Sequence, residues 1–156
     1  MSEGANNKDV PLERKQQLLA GLRDFASLPP AVHKELAEAL KIEVFPPGGV
    51  VVAERDMGDR MYILESGIAE VSTIGPKGRV VLDGLNAGDM FGEIALISKI
   101  RRRKATVTAV TELVTVSLSV EDFERTMKVY PEVLAAFMRN AEVLMSKKLH
   151  KVSPMH

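Results

Sequence analysis

The apolar positions of this chain change period twice. After Pro11, Leu18, Leu19, Leu22 and Phe25 recur three and four residues apart, which predicts an amphipathic helix that Leu28-Pro29-Pro30 brings to an end. A second helix is predicted from Pro30 to about Leu40, with Val32, Leu36, Ala39 and Leu40 inward and Pro30 in its first turn. Between Lys41 and Leu118 this spacing gives way to short β-branched runs: Ile42 to Phe45, Gly49 to Ala53, Met61 to Glu65, Ile68 to Thr73, Arg79 to Leu82, Ala105 to Thr111 and Leu113 to Leu118. Turn residues separate them at Pro46-Pro47-Gly48-Gly49, Met57-Gly58-Asp59, Ser66-Gly67, Gly75-Pro76-Lys77-Gly78 and Ala87-Gly88-Asp89. Within this region Glu93 to Ile97 has neither alternation nor turn residues, so it predicts a short helix interrupting the sheet.

Helical spacing returns after Leu118. Ser119 stands three residues before Asp122, a capping-box variant opening a helix with Phe123 and Met127 on its inner face. Tyr130-Pro131 restarts the chain into a longer helix marked by Val133, Leu134, Phe137, Met138, Ala141, Leu144, Met145 and Leu149. The pattern predicts an α+β chain: a disordered leader over 1–10, helices over 11–40, a sandwich or rolled sheet over 41–118, C-terminal helices over 119–150 and a tail over 151–156.

Composition narrows what such a fold can do. The 156 residues suit one domain, with 46% hydrophobic and 27% charged residues. Twenty-one basic residues balance twenty-one acidic ones, leaving no global field for nucleic acid or an anionic membrane; any anion site must be local. There is no cysteine, so disulfides, Cys-ligated zinc and a thiol nucleophile are excluded. The histidines His33, His150 and His156 fall outside the strands, which argues against a metal enzyme on a β-roll and against metal-dependent hydrolysis. No metal, cofactor or catalytic residue is expected. With no membrane-length apolar run and no export signal, a cytoplasmic protein without direct membrane insertion is expected.

One stretch carries chemistry. Phe91 to Val107 reads FGEIALISKIRRRKATV: a glycine beside a carboxylate, an apolar turn, then four consecutive cations feeding a β-branched strand. The start of the short helix offers backbone N–H groups at Gly92 to Ala95, which attract phosphate. Glu93 would be repelled by a phosphate unless it faced a donor such as a sugar hydroxyl, so the combination suggests a phosphorylated sugar. The same residue types also fit a surface turn with a solvated basic run.

The stretch resembles the phosphate-binding cassette of the cyclic nucleotide-binding domain family. FGEIAL is followed by a basic loop and Arg103-Lys104-Ala105-Thr106-Val107, and PPGGVVV, GDRMYILESGIAEV and LNAGDMFGE precede it in the family's order. The resemblance covers nearly the whole chain. It implies an antiparallel eight-stranded, jelly-roll-like β-roll with a short phosphate-cassette helix, flanked by N-terminal helices and two C-terminal helices. The ligand would meet Gly92, Glu93, Ile94, Ala95, Arg103, Lys104, Ala105 and Val71. Glu93 takes the ribose 2′-OH, Arg103 the exocyclic phosphate, Gly92 and Ala95 supply backbone N–H groups, and Val71 touches the purine. The loop is one residue longer than in many relatives, leaving Arg102 as the alternative phosphate ligand; the strand register through Ala105-Thr106-Val107 favours Arg103.

Lys104 stands where cGMP-selective members often carry threonine, which tilts the expected ligand to cAMP over cGMP. YPEV, LSVEDF and KIEVFPPGG look most like the cytosolic domain of cyclic nucleotide-regulated channels and related membrane carriers. The resemblance thus implies a regulatory switch, not an enzyme, with the final helix closing over the ligand through Leu144 and Lys148 as lid residues. Its partners would be the cyclic nucleotide and the rest of a channel or transporter chain, with homo-oligomer formation. The rival readings are a ligand-free interaction domain of the same fold and a stand-alone or kinase-type cyclic nucleotide receptor.

Overall fold

The computed structural model describes residues 9–23, 25–97 and 102–139. Helix α1 spans Leu12–Ala20, shorter than its apolar stripe predicts, because Gly21 caps it with its N–H on the carbonyls of Gln17 and Leu19. Leu22 and Phe25 still point into the core from the turns that follow, where Phe25 N–H meets Leu22 O at 3.0 Å and Leu28 N–H meets Phe25 O at 3.2 Å. Such three-residue turns keep the spacing of a helix, so periodicity alone does not separate the two. Helix α2 (Pro30–Ala39) begins on a proline whose missing N–H costs nothing in the first turn.

Eight strands follow among the described residues: β1 (Lys41–Phe45), β2 (Val50–Val52), β3 (Arg60–Ser66), β4 (Ala69–Gly75), β5 (Gly78–Leu85), β6 (Met90–Phe91), β7 (Thr106–Ala109) and β8 (Leu113–Ser119). They form two antiparallel four-stranded sheets, ordered β1-β8-β3-β6 and β2-β7-β4-β5, the expected roll. The strand β6 is too short to register as a run of its own. Helix α3 (Ile94–Ile97) interrupts the roll, and α4 (Val120–Met127) starts with the Ser119 hydroxyl accepting the Asp122 N–H at 3.0 Å. Residues 131–139 are helical again. Among the described residues no helix is long and apolar enough to cross a membrane.

The central strands β3 and β8 are buried on both faces; β3 reads as an apolar run from Met61 to Leu64, while β8 alternates and buries Thr115 and Ser117 as polar groups. Met61, Ile63, Val114, Val116 and Leu118 pack outward on α1, α2, α4 and the 131–139 helix, in a core that also holds Ala95 and Leu96 of α3. Tyr62, Leu64 and Leu113 pack inward with Val71, Leu85, Phe91, Ala105 and Val107, filling the roll. Phe137 closes the helical end, its ring centroid 5.0 Å from Phe25 and 5.2 Å from Phe123. These edge-on and tilted contacts suit aromatic quadrupoles.

Candidate functional site

The candidate site forms where β6, α3, the β2–β3 loop and the start of β7 meet. Strand β6 pairs with β3 at Tyr62 and Ile63, and the Tyr62 and Phe91 rings stack at 4.9 Å. The chain then turns through Gly92 at φ +83°, a left-handed conformation that a side chain resists. Space is short there as well: a Cβ would stand 2.5 Å from an Arg103 guanidinium nitrogen, which would have to move, and 3.0 Å from the Arg60 carbonyl oxygen. Glycine at this position therefore lets an arginine lie against bare backbone.

Arg103 is held from two sides. Its N–H donates to Asp56 O at 2.7 Å and its carbonyl accepts from Arg55 N–H at 2.8 Å, so a ribbon between the β2–β3 loop and residues 102–103 sets where its side chain departs. An isolated bridge between Met57 and Arg102 extends that ribbon. The guanidinium Nη2 donates to Arg60 O at 2.8 Å, while the buried Nε has no hydrogen-bond partner. Burial pulls the Arg103 pKa below its usual value, against the opposing pull of Tyr62, Asp59 and Glu93. An arginine stays protonated through such a shift, so the result is a half-buried cation with a donor unmet. Arg102 is different: it is exposed, and its Nη1 donates to Arg55 O at 3.2 Å.

The remaining predicted residues fall into three groups. Glu93 is half-buried beside Arg103 and interacts with it electrostatically, and Ala105 is buried where the chain enters β7. Ile94 opens α3, and the Ala95 N–H is not open to a ligand here, since it donates to Gly92 O at 3.1 Å. Lys104 is exposed. Val71 lies on the inner face of β4 opposite Val107 and is fully buried, so a ligand would meet the surface in front of it. Leu144 and Lys148 lie outside the described residues.

The structure adds residues that the motifs did not single out. On the inner face beside Arg103, Arg60 Nη1 donates to the Ser117 hydroxyl at 3.0 Å, which donates to Glu43 Oε2 at 2.9 Å. Tyr62 sits below this network, its phenol pKa raised by burial and then by Glu43. Their roles come from a backbone carbonyl and cross-strand register, which leave no spacing to find in a sequence. Among the described residues no cluster of acidic or histidine side chains is placed to hold a metal, and the His33 ring bonds to the Phe25 carbonyl. A cleft of about 270 Å³ lined by Ser27, Leu28, Pro29, Glu132, Val133, Ala136 and Phe137 belongs to the helical end.

The described chain is thus an antiparallel roll interrupted by a glycine-led helix, with one arginine folded back over that glycine. The sequence profile of the cyclic nucleotide-binding domain matches residues 42–130, and the chain belongs to that family. It is 44% identical over 91 residues to a cAMP-dependent protein kinase regulatory subunit of Yarrowia lipolytica, covering 58% of this chain and 24% of that protein. It is 35% identical over 122 residues to the potassium/sodium hyperpolarization-activated cyclic nucleotide-gated channel 2 of Mus musculus, covering 78% of this chain and 14% of the channel. The chain thus spans a quarter or less of these relatives. The regulatory domain of Toxoplasma gondii PKA, solved with cAMP, superposes with a TM-score of 0.71 at 26% identity, over 90% of this chain and 50% of that one.

Proposed function

We propose that this domain binds cAMP in preference to cGMP and passes the event on as a change in the position of its C-terminal helix. The observation that carries the reading is Arg103: a half-buried cation against Gly92, with one buried donor unpaired. Leaving such a group unmet costs about 1–3 kcal/mol, which a bound phosphate would offset through charge-assisted hydrogen bonds. Glu93, beside it, suits a ribose hydroxyl. The exposed Lys104 has no hydroxyl to offer guanine, which supports cAMP.

The route to the helices starts in α3. Ala95 and Leu96 carry the cassette backbone on one side and pack into the helical-end core with Phe123 and Phe137 on the other. A phosphate that enters between the Gly92 turn and the Arg103 guanidinium shifts α3 and with it the seat of Phe137. Ligand binding can move that equilibrium only by its difference in affinity between the two arrangements.

The activity is regulatory and exerted on a larger assembly in the cytoplasm, which lies at the cytosolic face of a membrane if that assembly is a channel or carrier. A channel or carrier sensor is the first reading, supported by the channel relative; a kinase-type receptor is the second, supported by the regulatory subunit at 44% identity. Calorimetric titration with cAMP and cGMP tests the ligand: tighter binding of cAMP is expected, and no binding of either at tens of micromolar overturns the proposal. Hydrogen exchange across residues 131–139 tests the output, with altered protection expected on cAMP addition and unchanged protection ruling out the helix movement.

A further inference from the structure

We infer that Arg55 is a positioning residue for Arg103: its left-handed backbone aims that arginine, so the residue type at position 55 sets nucleotide affinity. This deepens the cyclic nucleotide reading of the Arg103 site and rests on it. Among the described residues, positive φ falls on Gly48, Gly67, Gly78, Gly88 and Gly92 and on one residue that is not glycine, Arg55, at +78°. An L side chain resists that conformation because its Cβ crowds the following carbonyl oxygen. Asparagine and aspartate offset the cost by bonding locally through a short polar side chain, which arginine lacks. Such an outlier persists only where its surroundings hold it, and here they are Arg102 and Arg103.

The backbone contacts give the turn its purpose. Asp56 N–H donates to Ala53 O at 3.1 Å, closing a four-residue turn with Arg55 third, the place where a type II turn requires positive φ. Arg55 N–H then donates to Arg103 O at 2.8 Å, and Arg103 N–H donates to Asp56 O at 2.7 Å. Two successive residues thus face one, the pattern of a bulge whose first residue is left-handed and whose effect is to re-aim a side chain. Arg102 adds a third tie, Nη1 to Arg55 O at 3.2 Å. The Arg55 side chain is exposed, and what Arg103 meets is its backbone. Any residue supplies these N–H and C=O groups; the conformation that aims them is not equally open to all.

Calorimetry with cAMP on the wild type, Arg55→Val, Arg55→Gly and Arg55→Asn tests this, because the three variants all remove the charge and differ in how readily they turn left-handed. Glycine does so freely, asparagine readily and β-branched valine least. The glycine and asparagine variants are expected to bind at least about tenfold more tightly than the valine variant, the factor that ~1.4 kcal/mol sets. A merely structural role is separated by the Arg103 Nε–H resonance, assigned by its absence from Arg103→Ala. In the nucleotide-free proteins it should coincide in the wild type and the glycine and asparagine variants and be displaced in the valine variant. If valine prevents folding, Arg55→Ala takes its place, and its smaller left-handed penalty should still leave it at least about threefold weaker than Arg55→Gly. Equal affinity of the valine and glycine variants, or an Nε–H signal that stays put, overturns the proposal. So does an equal loss in all three, which would assign the effect to the charge of Arg55. If the wild type binds no cAMP, the cyclic nucleotide reading falls and this one with it; binding that ignores position 55 removes this one alone.

Discussion

At the helical end of the roll, Phe25, Phe123 and Phe137 meet ring against ring in a core built from α1, α2, α4 and the outer face of β3 and β8. At the cassette end, Arg103 is half-buried against a glycine with its Nε unpaired, and the left-handed turn beside it disfavours a side chain. The first region places apolar groups where folding gains most from them. The second keeps a charge partly out of water, which folding alone does not reward. Stability is concentrated at one end and binding capacity at the other, with α3 packed against both.

That division gives variants with opposite signatures. Phe137→Ala should have the largest effect, about 3–5 kcal/mol of stability by denaturant unfolding, since it removes a buried ring from two aromatic contacts. Gly92→Ala should cost roughly 1–2 kcal/mol of stability from the left-handed backbone alone. It should also weaken nucleotide binding, because the new methyl group occupies the place of the Arg103 guanidinium. An alanine variant that binds normally would show that the arginine is not confined as described.

The smallest effect is expected from Arg102→Ala. Its guanidinium is exposed and bonds only a loop carbonyl among the described contacts, so stability should move by less than about 0.5 kcal/mol. Nucleotide affinity, read by calorimetry, should stay within about threefold, the effect of a nearby exposed charge in salt. A large loss in this variant would transfer the phosphate to Arg102 and dissolve the contrast between the two arginines.

Much of this was legible before any coordinates. The period change at Lys41 and its reversal after Leu118 mark the roll and its flanking helices, and Ser119 caps α4 as its spacing predicts. The motif order from PPGGVVV to Arg103-Lys104-Ala105-Thr106-Val107 carries the family. What stayed hidden depends on backbone geometry or pairing. The end of α1 at Ala20 is masked by three-residue turns that preserve helical spacing. The two-residue β6 has no period to read. The hold on Arg103 comes from the Asp56 and Arg60 carbonyls and the Arg55 N–H, which any residue type could supply.

The central claim is that a cyclic nucleotide phosphate completes the coordination of Arg103. Calorimetric titration of cAMP into the wild-type chain and Arg103→Ala addresses it directly. The account predicts measurable binding to the wild type and at least about a hundredfold loss in the variant, equivalent to ~2.8 kcal/mol, with unfolding stability unchanged or slightly higher once the half-buried charge is gone. Equal affinity in the two proteins would contradict it.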